Sequence, residues 1–342
     1  MPLPSTAPQK GEHPMETQVR DVITSAHIRE TDPETRRIPQ AWITGLALLI
    51  SLLALVATTV GIFTANGLHH RTFLTLRGET FSIQGGGLYN HESVSGAAQA
   101  IGQDVVTLLV GIPLLLVGTY LASRGSLRGQ LLRAGALWYF TYTYLLLAFG
   151  GAYNQLFLVY VALYSASMFA FILSLLSIDA NRLMARASPR LARRTIAWLL
   201  IGFGAMLALL WLGRIVPSIV SGAAPTGLES YSTLFVQAGD LGLLVPLAIL
   251  TGTLFLKNRP VGYLLAGVML IKGATFGLAL VAMIIAMAAT GVTIVPVEVA
   301  FFVTVAVVYS AGAVSFLRNL SGQSAGSKLM VATISAERRD AG

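Results

Sequence analysis

The hydrophobic pattern of this chain consists of long apolar runs separated by short polar segments. Eight of the runs are close to the roughly 20 residues that a helix needs to cross a hydrocarbon core. They cover residues 42–66, 103–123, 131–149, 155–177, 195–217, 239–256, 261–289 and 297–317. The pattern predicts an all-α integral membrane protein with eight transmembrane helices.

Part of this pattern occurs twice, because residues 92–139 resemble residues 229–272. Both copies contain a Glu-Ser-x-Ser motif, an aspartate and a proline. The alignment needs short gaps between the motif and the proline, and no gap after the proline. The aligned positions include Glu92 with Glu229, Asp104 with Asp240, Pro113 with Pro246, and Tyr139 with Lys272. Each half contains four spans. Because four is an even number, both halves enter the membrane from the same side and have the same orientation in it. We therefore expect a parallel 4+4 internal repeat.

Composition and charge agree with a membrane location. The chain of 342 residues is 55% hydrophobic and 11% charged, whereas a soluble domain averages about 25% charged residues. The net charge of +8 comes from Lys and Arg in short loops, which indicates membrane topology rather than nucleic-acid binding. The positive-inside rule then predicts a protein integral to the bacterial cytoplasmic (inner) membrane, with both termini in the cytoplasm and membrane lipids as its partners.

The same pattern divides the chain into five parts. Residues 1–40 are expected to form a disordered cytoplasmic tail and residues 319–342 a second cytoplasmic tail. Residues 41–178 and 195–318 form the two four-helix repeats, joined by a basic linker at 179–194. The linker arginines recur with Leu183, Met184 and Leu191. Two interpretations stay open: the linker lies on the anionic inner leaflet, or it is a plain topology signal.

Lys272 is the clearest candidate for a functional residue. It lies about twelve residues into the seventh run, near the bilayer midplane at ~1.5 Å per residue. A lysine at the centre of a membrane helix costs roughly 2.5–3.5 kcal/mol, and such residues usually serve binding or transport. The alternative is a structural lysine that donates to backbone carbonyls or a water.

Asp104 and Asp240 allow two interpretations. If helices begin at these residues, the aspartates are ordinary N-caps. If the helices begin earlier, near Ser95 and Ser232, each carboxylate lies inside the membrane and needs a partner. Two carboxylates in equivalent halves would then frame a cation or amine site.

Further polar residues complete the candidate site. An outer charged layer is expected from Glu92, Glu229, Arg214 and Glu298, with a predicted ion pair between Arg214 and Asp240. A polar aromatic face on the third and fourth runs suggests either a pocket for an amphipathic molecule or a core with locally satisfied hydroxyls. Its substrate-binding candidates are Tyr139, Tyr142, Tyr160 and Tyr164.

No metal or cofactor is expected. The chain has no cysteine, and adjacent histidines at positions 69 and 70 are poor joint ligands for one ion. Residues 271–278 resemble the lysine segment of microbial rhodopsins, in which the lysine forms a retinal Schiff base. Val268 stands where that family has an aspartate, the helix is expected to run in the opposite direction, and an eighth span follows. We therefore expect no retinal.

These observations leave three functional hypotheses. The first is a carrier or permease for a small or amphipathic solute, with a site around Lys272. The second is a membrane-embedded enzyme that acts on a lipid or isoprenoid substrate, and the third is a non-catalytic sensor or assembly factor. The sequence leaves the solute and the oligomeric state open, a homo-oligomer included.

Overall fold

The computed structural model describes residues 39–65 and 70–320 of the chain. In this part the helices are α1 (Gln40–Phe63), α2 (Val94–Ser123), α3 (Leu127–Phe149), α4 (Phe157–Leu176), α5 (Ala180–Ala185), α6 (Arg193–Ser221), α7 (Phe235–Leu256), α8 (Pro260–Ala289) and α9 (Pro296–Arg318). Seven of them, all except α3 and the short α5, are long and apolar enough to cross a membrane. The chain is therefore a multi-pass, predominantly helical integral membrane protein.

Helix α3 occupies the centre of the bundle and does not share this apolar character. It packs against α2, α4 and α8, and residues 133–144 form an unbroken buried run. Because these neighbours separate α3 from lipid, its side chains are free to be polar and aromatic. The predicted count of eight spans depends on this helix and stays a prediction.

Helices α2 and α7 each contain a π-helical stretch, which follows 13 α-helical residues in α2 and 5 in α7. The π-helical stretches are Thr107–Gly111 in α2 and Asp240–Leu244 in α7. Each is followed by a twelve-residue α-helix with a proline in its first turn, Ile112–Ser123 and Val245–Leu256. A π-helical turn inside an α-helix frequently marks a functional position.

The bundle has two chemically different ends. The basic end contains the turns after α2 and α7 and the segment before α6, with Arg124, Arg128, Arg193, Lys257 and Arg259. Both described termini lie there: Arg133 Nη1 donates to Gln40 Oε1 (2.9 Å), and Arg128 Nη2 donates to the Leu320 carbonyl (2.5 Å). The opposite end, which we call the loop end, contains both Glu-Ser-x-Ser motifs.

A short β-hairpin at the loop end is an addition to the expected all-α fold. Strands β1 (Arg71–Leu74) and β2 (Thr80–Ile83) pair in antiparallel register, and Gly78 (φ +81°) allows the tight turn between them. Arg77 in that turn donates to the Glu229 carbonyl at 2.7 Å. The hairpin therefore connects the first outer loop to the second.

The segments outside the long helices meet the sequence expectations to different degrees. The predicted tails lie outside the described residues except for positions 39, 40, 319 and 320. Asp179 caps α5 by accepting hydrogen bonds from the backbone N–H groups of Asn181 and Arg182, and Leu183 and Leu191 are buried in the core. These two linker leucines thus pack inside the bundle.

The outer surface of the bundle is apolar. Aromatic side chains are exposed near the helix termini, as in the aromatic belts of membrane proteins. Trp42 lies near the basic end, and Phe63, Phe149 and Tyr153 lie near the loop end. Lipid contact follows from this surface.

Candidate functional site

The two Glu-Ser-x-Ser motifs contact each other at the loop end. The Ser95 hydroxyl lies 2.8 and 2.7 Å from the two carboxylate oxygens of Glu229. In the other direction, the Tyr231 hydroxyl donates to Glu92 Oε2 at 2.5 Å. The backbone N–H of Ala152 donates to Glu92 Oε1 at 2.6 Å. Each motif therefore supplies a carboxylate that the other motif binds.

Local backbone features place these side chains. Ser93 caps α2 by accepting a hydrogen bond from the Gly96 N–H at 3.0 Å. A Cβ at Gly96 would lie 2.1 Å from the Tyr231 hydroxyl, so only glycine lets that tyrosine reach Glu92. Glu229 adopts φ 48°, a left-handed conformation that is costly for a non-glycine residue and is concentrated at functional sites.

A cavity of ≈ 310 Å³ lies directly beneath this pair of motifs. Helices α2, α3, α6, α7 and α8 and the loop before α7 form its wall. Polar and charged side chains in the wall include Glu92, Gln99, Gln103, Arg214, Glu229, Tyr231 and Gln237, and its aromatic side chains include Trp211, Phe235 and Phe276. A larger cavity of ≈ 480 Å³ lies at the basic end beside Arg193 and Asn258.

Asp240 and Lys272 lie against the wall of the loop-end cavity. Asp240 Oδ1 accepts a hydrogen bond from the Tyr142 hydroxyl, and Asp240 Oδ2 accepts one from Trp211 Nε1 at 2.8 Å. The Lys272 amine lies 4.4 Å from the Tyr142 ring centroid and 3.8 Å from that of Phe276. Trp211, which contacts Asp240, and Phe276, which contacts Lys272, both line the loop-end cavity as well.

The Lys272 amine is buried among aromatic rings and beside one carboxylate. Its residue is 3% exposed, it takes part in neither of the ion pairs found among the described residues, and its charge interacts with that of Asp240. It also makes cation–π contacts with the two aromatic faces. Lys272 is not itself a cavity-lining residue, but Phe276, whose ring its amine contacts, is one.

Asp104 lies in a different environment from Asp240. It accepts a hydrogen bond from the Tyr89 hydroxyl at 2.6 Å and packs against Gly61 of α1, where a Cβ would lie 2.0 Å from Asp104 Oδ2. Both aspartates are buried and paired, because α2 begins at Val94 and α7 at Phe235. The N-cap interpretation was therefore wrong, and the alternative of earlier helix starts was correct.

The predicted ion pair between Arg214 and Asp240 was also wrong. Arg214 Nη2 lies 3.8 Å from Glu298 Oε1, and its guanidinium lies 5.5 Å from the Trp211 ring centroid. Trp211 and Tyr142 satisfy Asp240 instead. The structure places Glu92, Glu229 and Arg214 around one cavity, with Glu298 paired to the arginine.

The four candidate tyrosines separate into different surroundings. Tyr142 contacts Asp240 and Lys272. The Tyr139 hydroxyl bonds with Gln103 Nε2 (2.5 Å) and Thr107 Oγ1 (2.8 Å). Tyr160 stacks on Tyr144, and Tyr164 packs edge-on against Phe149. None of the four lines the loop-end cavity.

Sequence reasoning missed several residues of this region. Trp211 lines the cavity and had no sequence signal. Gln103 and Gln237, which precede the aspartates, favoured the earlier helix starts in the sequence but were not predicted to line a cavity. Tyr231 occupies the variable position of the second Glu-Ser-x-Ser motif, where the first motif has Val94. Arg133, whose burial was not expected from the sequence, is fully buried near the basic end.

Burial changes the electrostatics of the loop residues outside the spans. Desolvation raises the pKa of the Glu92 carboxyl above its ordinary value, while hydrogen bonds from Tyr231 and Ala152 and the charge of His91 oppose that rise. Desolvation also raises the pKa of Tyr231, and Glu92 adds to that increase. Burial thus makes the charged form of the Glu92 carboxyl costly.

Among residues 39–65 and 70–320, no group of three or more His, Cys, Asp or Glu side chains has a metal-binding arrangement. The chain matches no known protein-family model, and no curated protein and no solved structure shows significant similarity to it. The functional argument therefore depends on the geometry of this chain alone.

Proposed function

We propose that this protein is a membrane carrier for a small or amphipathic solute, which enters the loop-end cavity and passes the Lys272–Asp240 group. One observation carries the proposal: a buried lysine and a buried aspartate, whose charges interact, each contact an aromatic side chain that lines a polar cavity. Ionisable groups inside membrane proteins mark solute or ion pathways.

Regular spacing of structural elements supports the 4+4 parallel repeat as the framework of this carrier. Three elements begin 133 residues after their counterparts: the π-helical stretches at Thr107 and Asp240, the helices at Ile112 and Val245, and the helices at Leu127 and Pro260. Gly135 of α3 packs on Ile271 of α8, so the counterpart helices cross each other. Parallel repeats related by an axis along the membrane normal are common in carriers.

The number of membrane crossings supports eight spans. Gln40 and Leu320 both lie at the basic end, so the chain between them crosses the bundle an even number of times. Seven helices qualify by length and composition, and α3 adds the eighth.

This spacing also reveals an asymmetry between the halves. By element position, Asp240 corresponds to Thr107 rather than to Asp104, and Lys272 corresponds to Tyr139. Thr107 and Tyr139 are joined by a neutral hydrogen bond of 2.8 Å, whereas Asp240 and Lys272 are a carboxylate and an amine. The second half therefore supplies the charged pair, and we assign the solute-dependent step to it.

Packing on the other side of Lys272 supports a state that is closed toward the basic end. Leu131, Ala134, Val268 and Ile271 are buried there within one core cluster. A solute in the cavity cannot pass these side chains unless the halves move relative to each other. Alternating access by movement of one repeat against the other is the expected mechanism.

The absence of cysteine allows a direct test by single-cysteine labelling. Gln99→Cys places a thiol in the cavity wall, and Ala134→Cys places one on the basic-end side of Lys272. A membrane-impermeant maleimide applied at the loop end should label Gln99→Cys readily. Applied at the basic end, it should label Ala134→Cys at roughly 0.1–10% of the rate of a freely exposed cysteine, because a minor conformer is typically populated to that extent.

Two further variants make the test decisive. Ala47→Cys on α1 is equally buried but lies outside the proposed route, and its label should stay negligible. Adding Lys272→Met to Ala134→Cys should change the basic-end labelling rate, since the charged pair sets the balance of the two states. If Ala134→Cys reacts no faster than Ala47→Cys, the carrier proposal fails and the sensor or assembly hypothesis becomes preferable.

A further inference from the structure

We propose that the loop-end cavity binds an organic cation, with its ammonium group at Glu92 and Glu229 and its apolar part against Trp211, Phe235 and Phe276. This inference deepens the proposed function and rests on it, because it names the chemical class of the solute. It uses the side chains of the cavity wall and does not involve the Lys272 amine in direct contact.

The first step concerns the charges at the cavity mouth. Glu92 accepts hydrogen bonds from the Ala152 N–H and the Tyr231 hydroxyl, and Glu229 accepts them from Ser95. All of these donors are neutral. In the described part of the chain, the ion pairs are Arg77–Glu79 and Arg214–Glu298. Neither cavity carboxylate belongs to one of these ion pairs, and the only charged group acting on Glu92 from the described part of its own loop is His91.

The single cation in the wall does not compensate for them. Arg214 is paired with Glu298 at 3.8 Å and lies beside the Trp211 ring. Two carboxylates against one guanidinium leave the wall negative, and the pairing with Glu298 removes the free charge of that guanidinium. A cationic ligand would supply the missing positive charge, whereas an anionic ligand would increase the imbalance.

Buried amide groups provide a second, independent observation. Gln237 lines the cavity and is 8% exposed, yet its side chain makes no hydrogen bond with any described residue. Gln103, 6% exposed, donates through Nε2 to Tyr139 and Thr143, while its carbonyl oxygen accepts nothing from the described residues. Both amides line the cavity, so the Gln103 carbonyl oxygen can accept a hydrogen bond from an N–H donor of a ligand, and the Gln237 carbonyl oxygen can do the same.

The aromatic side chains set the orientation and the size of the ligand. Trp211, Phe235 and Phe276 present ring surfaces that bind both hydrocarbon and cationic groups. The Phe276 ring already carries the Lys272 amine at 3.8 Å, so a second positive charge is disfavoured at that end. The ammonium group therefore lies toward the two glutamates, and ≈ 310 Å³ suits a small molecule.

A matched set of three compounds tests this inference on the purified full-length protein in lipid nanodiscs. The compounds are 2-phenylethylammonium, 3-phenylpropionate and 2-phenylethanol, which have similar size and differ in charge. Isothermal titration calorimetry should show binding of the ammonium compound, with the other two weaker by about tenfold or more, as expected for hydrogen bonds to a charged group. Quenching of tryptophan fluorescence provides a second readout, since Trp211 lines the cavity.

Variants then assign the binding to the two carboxylates. Glu92→Gln with Glu229→Gln should remove ammonium binding, and each single change should weaken it by about tenfold. Asp179→Asn, which removes an exposed carboxylate at the basic end, should leave the affinity unchanged. Thermal unfolding of each variant checks that it is folded, and the single variants keep the test valid if the double variant is not.

The outcomes separate this inference from the carrier proposal. Stronger binding of 3-phenylpropionate, or equal binding of the ammonium compound to the double variant, would overturn the cation assignment. The labelling of Ala134→Cys needs no ligand, so it reports on the carrier proposal separately. Ammonium binding that depends on both glutamates supports the inference whatever the labelling result.

Discussion

Lys272 shows how cost and contacts compare at a single residue. A lysine at the centre of a membrane helix costs roughly 2.5–3.5 kcal/mol, while each cation–π contact returns about 0.5–2 kcal/mol. The amine contacts the Tyr142 and Phe276 rings, so the two contacts together return about 1–4 kcal/mol. These contacts are of the same order as the cost, so it is the position of the lysine beside Asp240 and the cavity wall, and not an energy deficit, that indicates function.

Glu92 gives a prediction at the same scale. Burial raises the pKa of its carboxyl, against the opposing effects of Tyr231, the Ala152 N–H and His91. The native pKa of Glu92 therefore lies above its pKa in the unfolded state. In the pH window between these two values, the native state binds more protons than the unfolded state does. The free energy of unfolding should then be highest below the ordinary glutamate pKa of about 4.3 and should fall as the pH rises through the window.

The comparison with Glu92→Gln isolates this contribution, because glutamine does not titrate. We expect the stability of the wild type relative to this variant to decrease with rising pH and to level off above the raised native pKa. Chemical unfolding in one detergent across the acidic to neutral range measures it. A flat difference for Glu92→Gln would contradict the prediction.

At the scale of the elements, the turns after α2 and α7 have matching geometry. Gly125 and Asn258 both have positive φ, 75° and 56°. A Cβ at Gly129 would lie 2.5 Å from the Ala122 backbone N, and one at Gly262 would lie 2.5 Å from the Phe255 backbone N. Both glycines lie in the first turn of the next helix, at a close approach to the preceding one.

We predict that Gly129→Ala and Gly262→Ala destabilise the protein to a similar degree. The added Cβ overlaps backbone atoms that cannot easily move, and overpacking typically costs about 1–3 kcal/mol. Thermal unfolding of the purified variants measures the effect. Gly202→Ala is the control, because nothing lies within 4 Å of its added Cβ. A large effect at one of the two sites alone would argue against equivalent halves.

The elements also show what sequence could and could not predict. Apolar runs located the long helices to within a few residues at most ends, because the bilayer requires about 20 apolar residues per span. They missed the true starts of α2 and α7, where polar glutamines lie inside the bundle and face the cavity. The hairpin at Arg71–Ile83 was missed because its strands have only four residues each.

The same limit applies to the candidate site. The repeat identified Glu92 and Glu229 as related residues, but no pattern indicated that each accepts a hydrogen bond from the opposite motif. Asp104 and Asp240 were aligned by residue type, whereas the π-helical stretches place Asp240 opposite Thr107. Contacts between distant segments decide such questions, and one sequence does not contain them.

For the whole molecule, the central question is whether α3 crosses the membrane. It begins next to Arg124 and ends near Tyr153, and its 23 residues are about 34 Å long at 1.5 Å per residue. That length matches a hydrocarbon core of about 30 Å. Its polar side chains are compatible with a crossing, because neighbouring helices rather than lipid surround them.

We therefore predict that the two ends of α3 are reached from opposite sides of the membrane. In intact cells, an impermeant maleimide should label Tyr153→Cys, and it should label Ser123→Cys only after the membrane is opened. Both positions are exposed and no native cysteine interferes. Leu76→Cys in the β-hairpin turn marks the loop end, and Arg190→Cys in the linker marks the basic end. If Tyr153→Cys behaves like Arg190→Cys, α3 does not cross, and both the eight-span count and the parallel repeat fail with it.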